Sequence, residues 1–263
     1  MSNSLDVTTA RVVVIGGGVV GCSILYHLAK AGWTDVVLVE RDELTSGSSW
    51  HAAGSLFSLT SPSNASILQK YAIDLYAEIE KESGQDCGYN KNGELWLAYS
   101  DEEVKSLKAI CSQGRRNGLH AEFISPKEAV EMAPILSEDG LRAVMFEPDA
   151  GFIDPSGVTH AFAKAARNLG AKIIRFTPVT ATKQTESGEW EVVTDKGTIH
   201  AEYVVNAAGL WAREVAALAG IDMPLMPVEH HYMVTESIAE LQALDRKIPS
   251  FSYSEANVYA RPE

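Results

Sequence analysis

Six consecutive residues, Gly16-Gly17-Gly18-Val19-Val20-Gly21, have the types and spacing that let a backbone lie against a pyrophosphate. In such a string Gly16 permits a tight turn, Gly18 lets main chain approach phosphate oxygens, and Gly21 lets a helix pack closely on a strand. The diphosphate charge then rests on free N–H groups and on the positive dipole end of that helix. Glu40 lies nineteen residues beyond Gly21, placed to accept hydrogen bonds from a ribose diol. A carboxylate there repels a 2′-phosphate, which disfavours NADP although Arg41 is adjacent. NAD and FAD both satisfy this much of the pattern. A second segment bears on cofactor binding: Tyr203-Val204-Val205-Asn206-Ala207-Ala208-Gly209 reads as a buried strand ending in small residues, where backbone can pass close to a bound group.

Other reactive side chains form no such pattern. His27, His120, His160 and His200 lack metal-ligand spacing, and no metal site is expected. Cys22, Cys87 and Cys111 are an odd, unpatterned set, so neither a zinc centre nor a disulfide framework is expected. A lone histidine in a loop is by itself an ordinary residue, and only its surroundings can raise it to a candidate.

The elements that must position these residues follow from hydrophobic periodicity. Residues 11–15 are a β-branched run of the kind found in a central parallel strand. Residues 19–30 are helical by period and stop at Gly32, and 36–39 form a second buried strand. This strand–helix–strand unit predicts a parallel pair with a right-handed crossover. Residues 41–60 are rich in Ser, Gly and Ala without period, a long loop that is costly to order unless it touches something. From residue 63 the pattern is helical, with Ile67, Leu68, Tyr71, Ala72, Leu75, Tyr76 and Ile79 on one face. Residues 94–98 are strand-like, 101–117 helical, and Ser125-Pro126-Lys127-Glu128 fits a capping box. A helix is expected over 156–169, then strands over 172–176, 189–194 and 198–205, the last two joined through Asp195-Lys196-Gly197. The order predicts two interleaved domains: a nucleotide-type domain over 11–90 and 150–222, and a second over 91–149 and 223–263.

The strings GGGVVG, VERDELTSGSSWHAAG, DAGFIDPSG, VVNAAGLWARE and PLMPVEHHYMVT, in this order, together resemble the dimethylglycine/sarcosine dehydrogenase group of the D-amino-acid-oxidase-like flavoproteins. The SSWHAAG segment is much more specific than the glycine string. The resemblance implies an α/β fold in which a Rossmann-like FAD-binding domain is interleaved with an α+β substrate domain carrying a mixed sheet. It implies FAD, joined covalently through His51 to the flavin 8α carbon, with Gly47, Ser48, Ser49, Trp50, Ala52, Ala53 and Gly54 letting the loop lie against the ring. Gly16, Gly18, Val19, Val20, Gly21, Glu40 and Arg41 would hold the dinucleotide, and Val179, Gly209 and Trp211 fall at further cofactor positions. His230 and Tyr259 match active-site positions on the substrate side, whereas His231 reads as structural. The implied reaction is oxidative demethylation of an N-methyl amino acid such as dimethylglycine or sarcosine, by hydride transfer from the N-methyl carbon to flavin N5. Oxidation needs the neutral amine, which a His or Tyr can select. The electron acceptor is then an electron-transfer flavoprotein or oxygen, and folate is a partner only if a C-terminal region exists. Two alternatives stay open: a related flavoprotein with another amine substrate, and a truncated, non-catalytic flavin-binding remnant.

Composition narrows the partners. Twenty-two Lys and Arg stand against 35 Asp and Glu, a net charge of −13, which argues against nucleic-acid and anionic-membrane surfaces. The residues before the first strand read as neither a secretory signal nor an Arg-rich transit peptide, so a cytoplasmic location is expected rather than the mitochondrial matrix. At 263 residues the chain stops earlier than the family pattern does, so the substrate domain is expected to be C-terminally incomplete.

Overall fold

The computed structural model describes residues 5–60 and 62–262. The elements of the first part of the chain are β1 (Thr9–Ile15), α1 (Val19–Lys30), β2 (Val36–Val39), β3 (Ser55–Leu56), α2 (Ser63–Ser83), β4 (Glu94–Ala98), α3 (Asp101–Arg116) and β5 (Glu122–Ile124). Next come α4 (Pro126–Met132), β6 (Ala143–Glu147), β7 (Gly151–Phe152), α5 (Pro155–Asn168), β8 (Lys172–Ile174), β9 (Val179–Gln184), β10 (Trp190–Thr194) and β11 (Gly197–Asn206). The series closes with α6 (Ala212–Leu218), α7 (Ala239–Gln242), β12 (Ser250–Tyr253) and β13 (Val258–Ala260). The expected mixed α/β class is the one adopted. Contacts divide the chain into two compact units. One comprises the chain up to Ala52 with Ile79–Cys87 and Pro155–His230; the other comprises Ala53–Glu78, Gly88–Asp154 and the chain from His231 onward. These bounds differ from the sequence pattern: residues 53–78, 88–90 and 150–154 group with the second unit and 223–230 with the first.

The first unit is built on a six-stranded sheet ordered β8-β2-β1-β11-β10-β9. β1 pairs in parallel with both β2 and β11, and β2 with β8, whereas β10 is antiparallel to β11 and β9. The central strands are apolar without alternation because both of their faces are covered. On one face Val13, Ile15, Val37 and Val39 pack with Val192 and Ile199, and Val215 of α6 closes over them. On the other, α1 lies against β2 and packs along α5. Each such fully buried Val or Leu contributes about 1.5–3 kcal/mol relative to exposure, which is what fixes this sheet.

The second unit has a five-stranded mixed sheet, β13-β12-β4-β6-β5, in which only β12 and β4 run parallel. Its strands alternate. Leu95, Leu97 and Val144 pack with Ala129 of α4, whereas Ala98 and Met145 pack on the other face with Leu107 and Cys111 of α3. Ser125 and Glu128 form the expected capping box of α4, and Ser100 with Glu103 forms a second at α3. A small ribbon, β3 with β7, completes this unit.

The helix expected from residue 63 forms, but its apolar stripe divides. Leu75 and Ile79 are buried, whereas Ile67, Leu68 and Tyr71 are exposed. Helical period tells which residues share a face, and only the neighbouring elements decide how far along the helix that face is covered.

Candidate cofactor site

The glycine string opens α1 directly after β1, as its spacing requires. Gly16 has φ of +118°, and a Cβ there would lie 2.3 Å from the Ala207 carbonyl oxygen; at Gly21 it would lie 1.9 Å from the carbonyl oxygen of Gly16. These two positions cannot carry a side chain without moving backbone. The Ala207 N–H donates to the Ile15 carbonyl at 2.9 Å, so the small residues that end β11 sit beside the glycine turn. Two motifs 191 positions apart in the 263-residue chain therefore lie side by side. Gly18 is the N-cap of α1 and offers no side-chain cap. The helix itself leaves the N–H groups of Val20 and Gly21 unbonded, which suits an anion.

Glu40 ends β2 with its carboxylate held by two backbone donors. The Gly17 N–H reaches Oε2 at 2.5 Å and the Asp42 N–H reaches Oε1 at 2.9 Å. These bonds aim the carboxylate across the glycine turn, and its remaining lone pairs can accept from a diol. Arg41 points elsewhere, its guanidinium 3.7 Å from the Trp211 ring centre. Gly47 fits against the same indole, where a Cβ would lie 3.3 Å from Cζ3. Thus Arg41, Gly47 and Trp211 cluster, with Gly209 just ahead of them in the left-handed region at φ +56°.

The Ser-Gly-Ala loop folds back onto α1. Ser49 Oγ accepts the Val19 N–H at 2.9 Å, so a residue thirty positions away caps the helix that has no cap of its own. Thr45, at φ +72°, donates its N–H to the Gly17 carbonyl at 3.1 Å. Trp50 and His51 stand together on the exposed tip, ring centres 3.6 Å apart, with Ser48 and Ala52 also exposed. Ala53 and Gly54 belong to the second unit, where the Gly54 carbonyl accepts the Ile153 N–H at 3.0 Å. Val179 begins the edge strand β9; two residues before it, Thr177 donates to the Glu40 carbonyl at 2.9 Å. Thr45 and Thr177 were invisible as site neighbours in the sequence, because a single Thr carries no spacing signal.

The two candidates for the substrate side fall in different units. His230 is exposed in a stretch without regular structure at the end of the first unit. Tyr259, 43% exposed, lies on β13 of the second, directly opposite Ser252. Arg261, two residues on, holds its guanidinium 4.9 Å from the Phe152 ring centre.

Cys22, beneath the glycine turn, donates to the Gly17 carbonyl, and burial pushes its thiol up to about 12. It is a packing residue. No helix among the described residues is long and apolar enough to cross a membrane.

Strand, glycine turn, acid-tipped second strand and small-residue return strand are the parts of a dinucleotide cradle. The chain belongs to the family described as FAD dependent oxidoreductase, whose pattern it matches over residues 11–263. It is 42% identical over 257 residues to human dimethylglycine dehydrogenase, a mitochondrial protein, across 97% of this chain and 29% of that one. It is 37% identical over 261 residues to human mitochondrial sarcosine dehydrogenase, across 97% of this chain and 28% of that protein. Its fold matches L-proline dehydrogenase from P. horikoshii with a TM-score of 0.77 at 33% identity, covering 82% of this chain and 57% of that one. The chain thus spans under a third of the length of the dimethylglycine and sarcosine dehydrogenases. The cytoplasmic location expected from the first residues is overturned: the dimethylglycine and sarcosine dehydrogenases that the chain resembles are mitochondrial. An opening stretch of sequence is a poor guide when a chain covers only part of its relatives.

Proposed function

We propose that this chain carries the FAD-binding part and a portion of the substrate-binding part of a dehydrogenase that oxidatively demethylates an N-methyl amino acid of the dimethylglycine or sarcosine type. The observation that carries this reading is the preformed junction of Glu40 with Gly17 and of Ser49 with Val19, which aims the dinucleotide acceptor and brings the His51 loop onto the same helix end. In this reading the first unit is the cofactor domain and the second the substrate domain. The N–H groups of Gly18, Val20 and Gly21 hold pyrophosphate oxygens, Glu40 binds the adenosine ribose, and the Arg41–Trp211 stack braces the loop that follows β2.

Bound FAD supplies the two-electron acceptor for the N-methyl carbon. His51 would present a neutral imidazole nitrogen to the 8α carbon of bound FAD, where attachment would release a methyl proton and leave the ring two electrons reduced for the electron acceptor to reoxidise. His230 and Tyr259 act on the substrate nitrogen, holding the neutral amine whose lone pair supports loss of hydride. Water captures the resulting iminium. The electron acceptor is an electron-transfer flavoprotein or oxygen, and folate is a partner where an additional folate-binding region is present.

A gel of denatured protein tests the attachment. The wild-type band is expected to keep yellow colour and flavin fluorescence, and His51→Ala to lose both. A band without flavin in wild type removes the covalent linkage. Amine-driven bleaching of the flavin, compared over dimethylglycine, sarcosine and longer N-methyl acids, tests the substrate. A second reading, oxidation of a cyclic or other secondary amino acid, is favoured by the match to L-proline dehydrogenase, and bleaching by proline alone would select it.

A further inference from the structure

Within the second unit, two glutamates are buried side by side. Glu94 of β4 and Glu147 of β6 are cross-strand partners, and they are 2% and 0% exposed. Directly opposed residues of an antiparallel pair have Cβ atoms about 4.5–5.5 Å apart on the same face. Each carboxyl group has one oxygen in use. Glu94 Oε1 accepts from Ser252 Oγ at 2.5 Å; Glu147 Oε1 accepts from the Ser58 N–H at 2.6 Å and from Ser58 Oγ at 2.7 Å. The other oxygens, Glu94 Oε2 and Glu147 Oε2, are buried without a hydrogen-bond partner. Two neighbouring buried acceptors, both orphaned, are costly as two carboxylates and satisfied together by one proton.

We propose that Glu94 and Glu147 hold a single proton between their Oε2 atoms, and that the pair, through Ser252, positions the strand edge that presents Tyr259. The register supports the second half. Ser252 pairs with Tyr259 on β13 and with Trp96 on β4, so Tyr259, Ser252, Trp96 and Glu94 share one face. A polar row thus crosses four strands, from half-exposed Tyr259 to fully buried Glu147. The groups facing the pair are Ser250 and Ser252 from β12, Trp96 from β4, and Ser58 with the Leu59 N–H from the chain after β3, with Tyr259 beyond on β13. The α3 side of that face is lined by Leu107 and Cys111. Trp96 Nε1 also lacks a hydrogen-bonded acceptor, although it is close enough to favour the ionised form of Glu147. Burial, and for Glu94 the neighbouring charge of Glu147, favour the protonated forms of both.

The role for Tyr259 rests on the function proposed above; the shared proton does not. Infrared spectra of the flavin-loaded full chain, in H2O and D2O, test the proton. A deuterium-sensitive carboxylic-acid band is expected in wild type and is expected to vanish in both Glu94→Gln and Glu147→Gln, where an amide donor replaces the acid. No such band, or one that survives both substitutions, overturns the shared proton. The pH profile of amine-driven flavin reduction tests the link to Tyr259. A step at the ionisation of the pair is expected in wild type, but in neither Glu94→Gln nor Tyr259→Phe. Glu94→Ala, which removes the acceptor of Ser252, is expected to be about tenfold slower at unchanged flavin content, and Glu94→Gln to recover most of that loss. A step that persists in Glu94→Gln overturns the positioning role. A wild-type rate in Tyr259→Phe, with the infrared result intact, instead removes Tyr259 from the reaction and leaves the shared proton standing.

Discussion

At the scale of single residues, the cradle is defined by what cannot be there. A Cβ at Gly21 meets the Gly16 carbonyl at 1.9 Å, backbone against backbone, so no rotamer relieves it. Gly21→Ala is expected to lower stability by about 1–3 kcal/mol and to reduce flavin retention. A thermal melt and the flavin-to-protein absorbance ratio check the two effects, and a variant that melts and binds like wild type would remove the close-packing argument. The need for glycine at positions 16 and 21 was legible in sequence, because glycines at fixed offsets serve a backbone need that other residues cannot meet. The contribution of Ser49 to α1 was not legible. Its hydroxyl bonds the Val19 N–H from thirty residues away, and serine in a serine-rich loop has no positional mark.

Among elements, local signals were the most legible. The capping box of α4 and the hairpin between β10 and β11 depend on neighbours within a few residues, and both form where the sequence placed them. The box at α3 has a measurable consequence. Ser100→Ala removes the acceptor of the Glu103 N–H and is expected to cost about 1 kcal/mol in chemical denaturation. No loss on substitution would mean that water caps the helix equally well. The edge strands β9 and β13 carry no apolar face of their own that marks them in the sequence, since a short edge strand is stabilised by the ladder beside it. The exposed first turns of α2 show the converse. There the periodic stripe exists and the described part of the unit does not cover it.

On the scale of the whole molecule, the buried glutamates make folding sensitive to pH. The Glu94 carboxyl is raised from an ordinary 4.5 to about 7, so between those values the folded chain keeps a proton that the unfolded chain has released. Stability is therefore expected to be greatest below about pH 4.5 as far as this group is concerned, and to fall as pH rises to about 7, by on the order of 3 kcal/mol at most. Denaturation midpoints across that window check the sign, and Glu94→Gln is expected to flatten the slope; a rising slope in wild type would contradict the burial argument. The sequence alone determined the class of cofactor cradle, the order of the main elements and the family. Those follow from backbone geometry, from hydrophobic period and from short strings whose neighbours are close in the chain. Tertiary structure decided which distant segments meet: the Ala207 turn on Gly16, Arg41 on Trp211, and Glu94 beside Glu147. Such pairings depend on strand order and register, and a carboxyl group in a sequence carries no sign of whether water or another carboxyl group will face it.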